Sequence, residues 1–222
     1  MKNIDYNYWT DGYGKNDADF HNPYLAIAMG ELYGRKGFDF GRGKGIFSDK
    51  DEKNHCRPDG YSSYTFANSY AKRMPFREKA VENNKELADR CYFLAGTIAG
   101  ELFFPAHGFG KQSINQARGC NGAVNDMVYL TLDSIRKYYE GKKEYYHLKD
   151  AIERYGYFFD RFESFDGYIE YNLLQDYELL PKKFPTSEAE LVEFWKRSVE
   201  FMESRAQRIE EYAKQNNLFD SE

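Results

Sequence analysis

The stretch YFLAGTIAGELFFP, residues 92–105, decides the fold because it is the most apolar passage of the chain. A helical pattern of apolar residues leads into it and reaches Cys91. Gly96 and Gly100 would weaken a helix interior, and Pro105 ends the passage. We therefore expect a helix to end within this stretch and a buried strand to follow it.

The polar segment GKQSINQARG, residues 110–119, comes directly after the apolar stretch. Read as a strand, it places Lys111 and Asn115 on one face, because successive side chains of a strand alternate. It would pair with the apolar strand as a hairpin, with Arg118 at its end and Asp126 in the first turn of the next helix. A cation, an amide, a guanidinium and a helix N-terminus would then meet in one place.

Two interpretations of this hairpin remain open. It could bind a phosphate or carboxylate through Lys111, Asn115 and Arg118, since such donors recognise anions. It could equally be an exposed sheet edge on which polar residues prevent aggregation. If a substrate reaches the turn, His107 and Asp126 are the candidate general acid or base.

The rest of the chain after the hairpin is predicted to be helical. Apolar residues at helical spacing, with a Ser187–Glu190 capping box before the last helix, predict four helices. They cover approximately residues 124–141, 148–162, 167–180 and 187–209. The order of elements predicts an α+β fold, in which a small antiparallel sheet or hairpin packs on a C-terminal bundle of about four helices.

The length of 222 residues favours a single domain. Residues 1–75 are rich in Gly, Asn, Asp, Ser and Tyr and predict a loop-rich aromatic region, while residues 76–222 predict an α-rich core. No segment has the length and apolarity of a membrane span, and no signal peptide is evident. We therefore expect a cytoplasmic protein without a membrane partner.

The cysteines and histidines do not predict a metal centre. Cys56, Cys91 and Cys120 are far apart and lack C-x-x-C spacing, so buried thiols are expected. The four histidines show no ligand spacing, which also makes a metal-dependent hydrolase a weak hypothesis. No cofactor is predicted.

Charge is segregated along the chain. Residues 33–79 hold 11 Lys or Arg against 6 Asp or Glu, and residues 105–143 hold 6 against 3. Residues 144–222 hold 10 against 18. An anionic partner should therefore meet the first two segments, and the acidic remainder argues against indiscriminate duplex binding.

Five further residues are candidates for ligand binding. Arg136 would add charge beside the hairpin, and Gln175 with Asp176 is predicted to lie inside an apolar helix. There a buried hydrogen-bonding pair is the simpler explanation. Arg205 and Arg208 in the last helix could be a second anion contact or part of a solvated face paired with Glu residues, and the solvated face is favoured.

Several of these motifs together resemble an uncharacterised bacterial family, domain of unknown function 6994, over residues 97–209. The ordered matches are TIAGELFFP, GKQSINQARG, DMVYLTLDSIRKYY, RYGYFF, GYIEYNLLQD and SVEFMESRAQRI. The family's Asp-Arg pair is Asp126-Met127 here, and its Glu-Cys pair is Asp133-Ser134. The missing Arg and Cys therefore have no role in this chain. The resemblance implies a compact or diverged member and supplies no established activity.

The sequence leads to two functional hypotheses. The first is a protein that binds an anionic nucleotide-like or single-stranded nucleic-acid ligand, in the context of bacterial or phage conflict as toxin, defence or counter-defence factor. Whether it also processes that ligand, and so is an enzyme, is left open. The alternative is a non-enzymatic interaction module whose acidic, aromatic C-terminal helices meet a protein partner.

Overall fold

A computed structural model of the chain describes residue 32 and residues 41–43, 46–48, 55–60, 72–105, 114–118, 124–125 and 127–218. The strands are β1 (Gly41–Gly43), β2 (Ile46–Ser48), β3 (His55–Gly60) and β4 (Glu101–Pro105). The α-helices are α1 (Arg77–Asn83), α2 (Lys85–Ala95), α3 (Ile114–Arg118), α4 (Val128–Tyr139), α5 (Lys149–Arg154), α6 (Gly156–Phe159), α7 (Phe165–Tyr171) and α8 (Glu188–Gln215). Short 3-10 helices cover Ile98–Gly100, Asp160–Phe162 and Tyr177–Leu179.

The predicted α+β architecture of a sheet packed on a helical bundle is wrong, because the described part of the chain is mostly helical. Within the long described stretches 72–105 and 127–218, β4 is the one strand. Its antiparallel neighbour is β3, which pairs with it from Cys56 opposite Pro105 to Gly60 opposite Glu101, and β2 and β1 follow in order. Residues 114–118 of the segment that was predicted to pair with β4 form a helix instead, and residues 106–113 lie outside the described part of the chain.

The C-terminal half of that predicted hairpin is the helix α3. Ile114, Ala117 and Arg118 are all buried, with 0%, 8% and 0% of their surfaces exposed. Positions i, i+3 and i+4 share a helix face, whereas a strand would have placed Ile114 and Ala117 on opposite faces. Burial of this helical face overrides the alternating polar pattern that suggested a strand.

Two of the predicted C-terminal helices are broken into shorter pieces. Residues 148–162 form α5, α6 and a 3-10 turn, and residues 167–180 form only the end of α7 and a second 3-10 turn. Leu148 and Leu173 have positive φ angles of 60° and 56°, which an α-helix cannot contain. The apolar periodicity extended through these turns because their leucines are buried as well.

The last helix agrees with the sequence prediction at its start. The Ser187 side chain accepts a hydrogen bond from the Glu190 amide at 3.2 Å, and Glu190 reaches back to accept from the Thr186 amide at 2.7 Å. This capping arrangement satisfies amides that the first turn of a helix cannot pair. The N-cap position of α4 is Met127, which makes no capping hydrogen bond with its side chain.

The core is organised around α8. Its buried stripe recurs every three or four residues and packs against α2, where Cys91 is fully buried as predicted. The stripe consists of Leu191, Phe194, Trp195, Ser198, Phe201, Met202, Arg205, Ile209 and Ala213. One position of this otherwise mainly apolar stripe is thus an arginine with 1% of its surface exposed.

Arg205 joins α8 to the backbone that leads from α2 into β4. Its Nη1 donates to the carbonyl oxygens of Ile98, Ala99 and Glu101 at 3.3, 3.0 and 2.6 Å. Its Nε donates to the Asn172 carbonyl at 3.3 Å. These oxygens lie in the 3-10 turn, at the start of β4 and at the end of α7, so one guanidinium satisfies carbonyls from three separate segments.

The 3-10 turn that supplies two of these carbonyls passes very close to α2. A Cβ atom added to Gly100 would lie 2.5 Å from both the Leu94 carbonyl oxygen and the Ala95 Cα. Both atoms belong to the backbone, so moving them aside would cost considerable free energy. Glycine is therefore required at residue 100 by the close approach of two chain segments.

Replacing Arg205 by methionine should destabilise the protein strongly. The Arg205→Met variant keeps an unbranched side chain but removes the guanidinium that bonds four buried carbonyl oxygens, so we expect a loss of about 3 kcal/mol in the free energy of unfolding. Urea unfolding measures it. Arg197→Met, which removes an exposed pair with Glu193 on the same helix, should cost less than about 0.5 kcal/mol. Equal losses in the two variants would contradict the proposed role of Arg205.

Replacing Gly100 by alanine should also destabilise the fold, by about 2 kcal/mol or more, because the new methyl group overlaps backbone atoms. Thermal unfolding of Gly100→Ala measures the loss. Gly141→Ala is the control, since residue 141 has a positive φ of 65° and no neighbouring atom within 4 Å of the added carbon. The control should cost only about 1 kcal/mol from backbone strain. A smaller effect at residue 100 than at residue 141 would refute the packing explanation.

Candidate functional site

Arg118, the central residue of the predicted anion site, is completely buried. Its Nε donates to the Thr131 hydroxyl at 2.9 Å, and its guanidinium carbon lies 5.2 Å from the centre of the Phe104 ring. Thr131 in turn donates to the Met127 carbonyl at 2.9 Å. These contacts connect α3 to α4 and β4, so this arginine has a structural role within the core.

Three other residues of the predicted site, His107, Lys111 and Asp126, lie outside the described part of the chain. Asn115 lies in α3 rather than in a strand. The structure therefore brings Arg118 beside α4, and the predicted convergence with the other four residues stays a prediction.

The candidates near the last helix are distributed differently from the prediction. Gln175 is exposed in the turn after α7, not inside a helix. Asp176 in the same turn accepts from Arg208 Nε at 3.2 Å and Nη2 at 2.6 Å, and from the Ser204 hydroxyl. Arg205 is buried in the core and is not part of a solvated face.

A different group of side chains does converge at the surface, between α4 and the segment that follows α7. The rings of Tyr129 and Tyr177 stack with their centres 6.4 Å apart and an interplanar angle of 27°. Lys182 places its ammonium 4.8 Å from the centre of the Tyr129 ring. Arg136, two turns along α4, interacts electrostatically with both tyrosines. We call these four residues the tyrosine surface.

A second cation–aromatic contact extends this region toward the start of α4. The Arg73 guanidinium carbon lies 4.6 Å from the centre of the Phe184 ring, and Phe184 is two residues beyond Lys182. Arg73 also donates to the side chain of Asn125, which precedes α4. Aromatic rings and cations thus alternate along one side of α4.

Carboxylates hold the cations of this region in place. Asp133 accepts from Arg136 and from Lys137, the latter at 2.7 Å, and Glu178 pairs with Lys182 at 2.7 Å. Burial alone would raise the pKa of Asp133, but hydrogen bonds and charges from Lys137 and Arg136 outweigh it and lower that pKa below 3.8. The cations are therefore oriented while they remain partly exposed, with 36% of the Arg136 side chain and 52% of the Lys182 side chain accessible.

Arg136 was the one residue of the tyrosine surface that the sequence suggested. Tyr129 was assigned no role, although it lies seven residues before Arg136 and therefore on the same face of α4. That spacing was an available signal. The contribution of Tyr177 and Lys182 was not detectable, because it depends on the turn that breaks the predicted helix 167–180.

The aromatic residues that were to anchor a protein partner lie in the core. Phe194, Trp195 and Phe201 of α8 are 5%, 0% and 1% exposed. The acidic C-terminal surface as an interaction module stays a prediction, but its anchors would have to come from other residues.

Two general features of the described residues concern metals and membranes. No group of three His, Cys, Asp or Glu side chains among them could hold a metal ion. None of the helices in the described part has the length and apolar character needed to cross a membrane.

Asp133 should make the stability of the protein depend on pH in the acidic range. Its folded-state pKa is lowered, so its contribution is fully present above the ordinary value of 3.8 and is lost as the pH falls through the lowered value. Wild type should therefore be more stable than Asp133→Asn at about pH 6, and the gap should narrow progressively as the pH falls below 3.8. Urea unfolding over that pH range measures it. A gap that stays constant would contradict the ion-pair assignment.

Comparison with known proteins assigns the chain to a family. No curated protein and no solved structure matches it. The model of a family of unknown function, DUF6994, matches residues 2–209. This confirms the resemblance noted over residues 97–209 and extends it across the N-terminal region. The chain belongs to the DUF6994 family.

Proposed function

We propose that this protein binds an anionic nucleotide-like ligand at the tyrosine surface, with the base on the aromatic rings and the phosphate on the cations. The observation that carries the proposal is the stacked pair of Tyr129 and Tyr177 with Lys182 on one ring and Arg136 beside both. This is the chemistry by which proteins hold bases without reading their sequence, through stacking and backbone charge.

The aromatic part of the surface supports recognition of a base. Tyr129 and Tyr177 are both only partly buried. The ring of Phe165 packs perpendicular to the ring of Tyr177, with the two ring centres 5.5 Å apart. Stacking of one base on an aromatic side chain contributes about 1–3 kcal/mol. The flat ring of any base can stack on these two tyrosines, so we expect weak discrimination among bases.

The charged part supports recognition of phosphate. Four cations, Arg73, Arg136, Lys137 and Lys182, lie with three carboxylates, Asp133, Glu140 and Glu178. The carboxylates keep the cations extended and oriented, and a phosphate would take over part of their hydrogen bonding. The proposal is thus for a nucleotide or for a single strand that presents the same base and phosphate.

Lys111 and Asn115 stay candidate contacts for the same ligand. Arg118 connects α3, which holds Asn115, to Thr131 of α4, the helix that carries Tyr129 and Arg136. His107 and Asp126 as acid or base, and the role in bacterial or phage conflict, stay predictions.

The test is a titration with adenosine monophosphate, adenosine and a short single-stranded oligoribonucleotide, in which tyrosine fluorescence reports binding. We expect saturable binding of the phosphate-bearing probes, weaker binding of adenosine, and a loss of affinity with added salt. Tighter binding of the oligonucleotide would identify a nucleic-acid strand as the ligand, whereas equal binding would favour a nucleotide.

The informative variant is Lys182→Glu, which should weaken binding about tenfold or more because a phosphate contact is reversed in charge. Lys214→Glu is the matched control, since Lys214 also pairs with a glutamate four residues away, Glu210, at 2.8 Å. The control changes the net charge equally and should leave the affinity within about twofold. No saturable binding by wild type, or equal losses in both variants, would refute the proposed function.

A further inference from the structure

The segment between α7 and Lys182 carries one of the two tyrosines and adopts a strained turn. Leu173 has a φ of 56°, a left-handed conformation that costs a leucine free energy unless the surroundings hold it. The turn continues through Asp176 into the 3-10 helix Tyr177–Leu179, where the Leu179 amide donates to the Asp176 carbonyl at 2.9 Å. The position of Tyr177 therefore depends on what holds this turn.

Side chains of α8 hold the turn from one side. Arg208 donates through Nε and Nη2 to a single oxygen of Asp176 at 3.2 and 2.6 Å, and Ser204 donates to the same oxygen. Three donors converge on Oδ2, and the hydrogen bonds from Ser204 and Arg208 lower the pKa of Asp176. Asp176 stays ionised and its side chain is 31% exposed.

We infer that Asp176 is a positioning residue for ligand binding, which sets the place of Tyr177 on the tyrosine surface through its contacts with Ser204 and Arg208. This inference rests on the proposed function. Asp176 is the residue directly before Tyr177, so a shift of its anchored carboxylate moves the neighbouring ring. Asp176 itself touches no ligand, because its carboxylate is directed to α8.

Tyr177 has other contacts besides this anchor. Its amide donates to the Leu174 carbonyl at 2.9 Å, its hydroxyl donates to the Glu178 carboxylate, and its ring packs against two aromatic neighbours. None of these contacts joins the turn to α8. The hydrogen bonds at Oδ2 of Asp176 do so, and Arg205 adds another at the end of α7.

Asp176→Asn tests the inference, with Glu203→Gln as matched control. Glu203 lies on α8 and accepts from Arg90 Nε and Nη2 at 2.9 and 2.8 Å on one oxygen, so the control removes a carboxylate that meets a guanidinium in the same geometry. Ser204→Ala is a milder second variant, which removes one donor to Asp176 and keeps both charges.

Two quantities are measured on the full chain: the affinity for adenosine monophosphate, and the 19F signals of fluorotyrosine at Tyr129, Tyr177 and the exposed Tyr145. We expect Asp176→Asn to weaken binding about fivefold and Ser204→Ala about twofold, while Glu203→Gln changes it less than twofold. In the ligand-free protein, the Tyr177 signal should shift in the first two variants and the Tyr145 signal should not.

The outcomes separate this inference from the proposed function. If wild type binds adenosine monophosphate but Asp176→Asn and Glu203→Gln bind it equally, the positioning role is overturned and the proposed function stands. A displaced Tyr177 signal with unchanged affinity overturns it as well. If wild type does not bind at all, the proposed function and the inference that rests on it are both overturned.

Discussion

The buried guanidinium of Arg205 is the constraint on which the rest of the described structure depends. A charge in the core is costly unless dipoles replace the lost water, and here four carbonyl oxygens do so. Three of those carbonyls belong to residues 98–101, where α2 is followed by β4, and the fourth lies at the end of α7. Arg205 therefore connects the long helix α8 to the break between α2 and β4 and to the end of α7.

This arrangement also explains how a mostly helical chain of short elements presents a defined surface. Ser204, Arg205 and Arg208 lie within about one turn of α8, and all three bond the segment that begins at the end of α7. Separately, Arg118 holds the start of α4 through its hydrogen bond to the Thr131 hydroxyl. The stacked tyrosines thus lie between two segments that are each held by a buried or half-buried arginine, so their spacing is set by the core. Binding sites that are built on such rigid supports need little reorganisation when a ligand arrives.

The sequence alone predicted the structure wherever a local signal, such as residue spacing or capping chemistry, agreed with the burial of the same residues. The Ser187 cap, the apolar stripe of α8, the burial of Cys91 and the apolar strand ending at Pro105 follow from spacing and capping chemistry alone. It was insufficient where a long-range contact decided the outcome. Residues 114–118 alternate like a strand but bury a helical face, and Leu173 continues an apolar pattern through a turn that α8 stabilises. The pairing of Tyr129 with Tyr177 across 48 positions could not be read from either segment.

The burial of Cys91 has a practical consequence for following motion in this protein. The thiol is 0% exposed in the interface between α2 and α8, and burial raises its pKa far above the ordinary thiol range. Thiolate is the reactive form, so an alkylating reagent can reach this sulfur only after α2 separates from α8. Since Arg205 joins α8 to the chain that follows α2, the rate at which Cys91 is labelled is an internal clock for the opening of that junction.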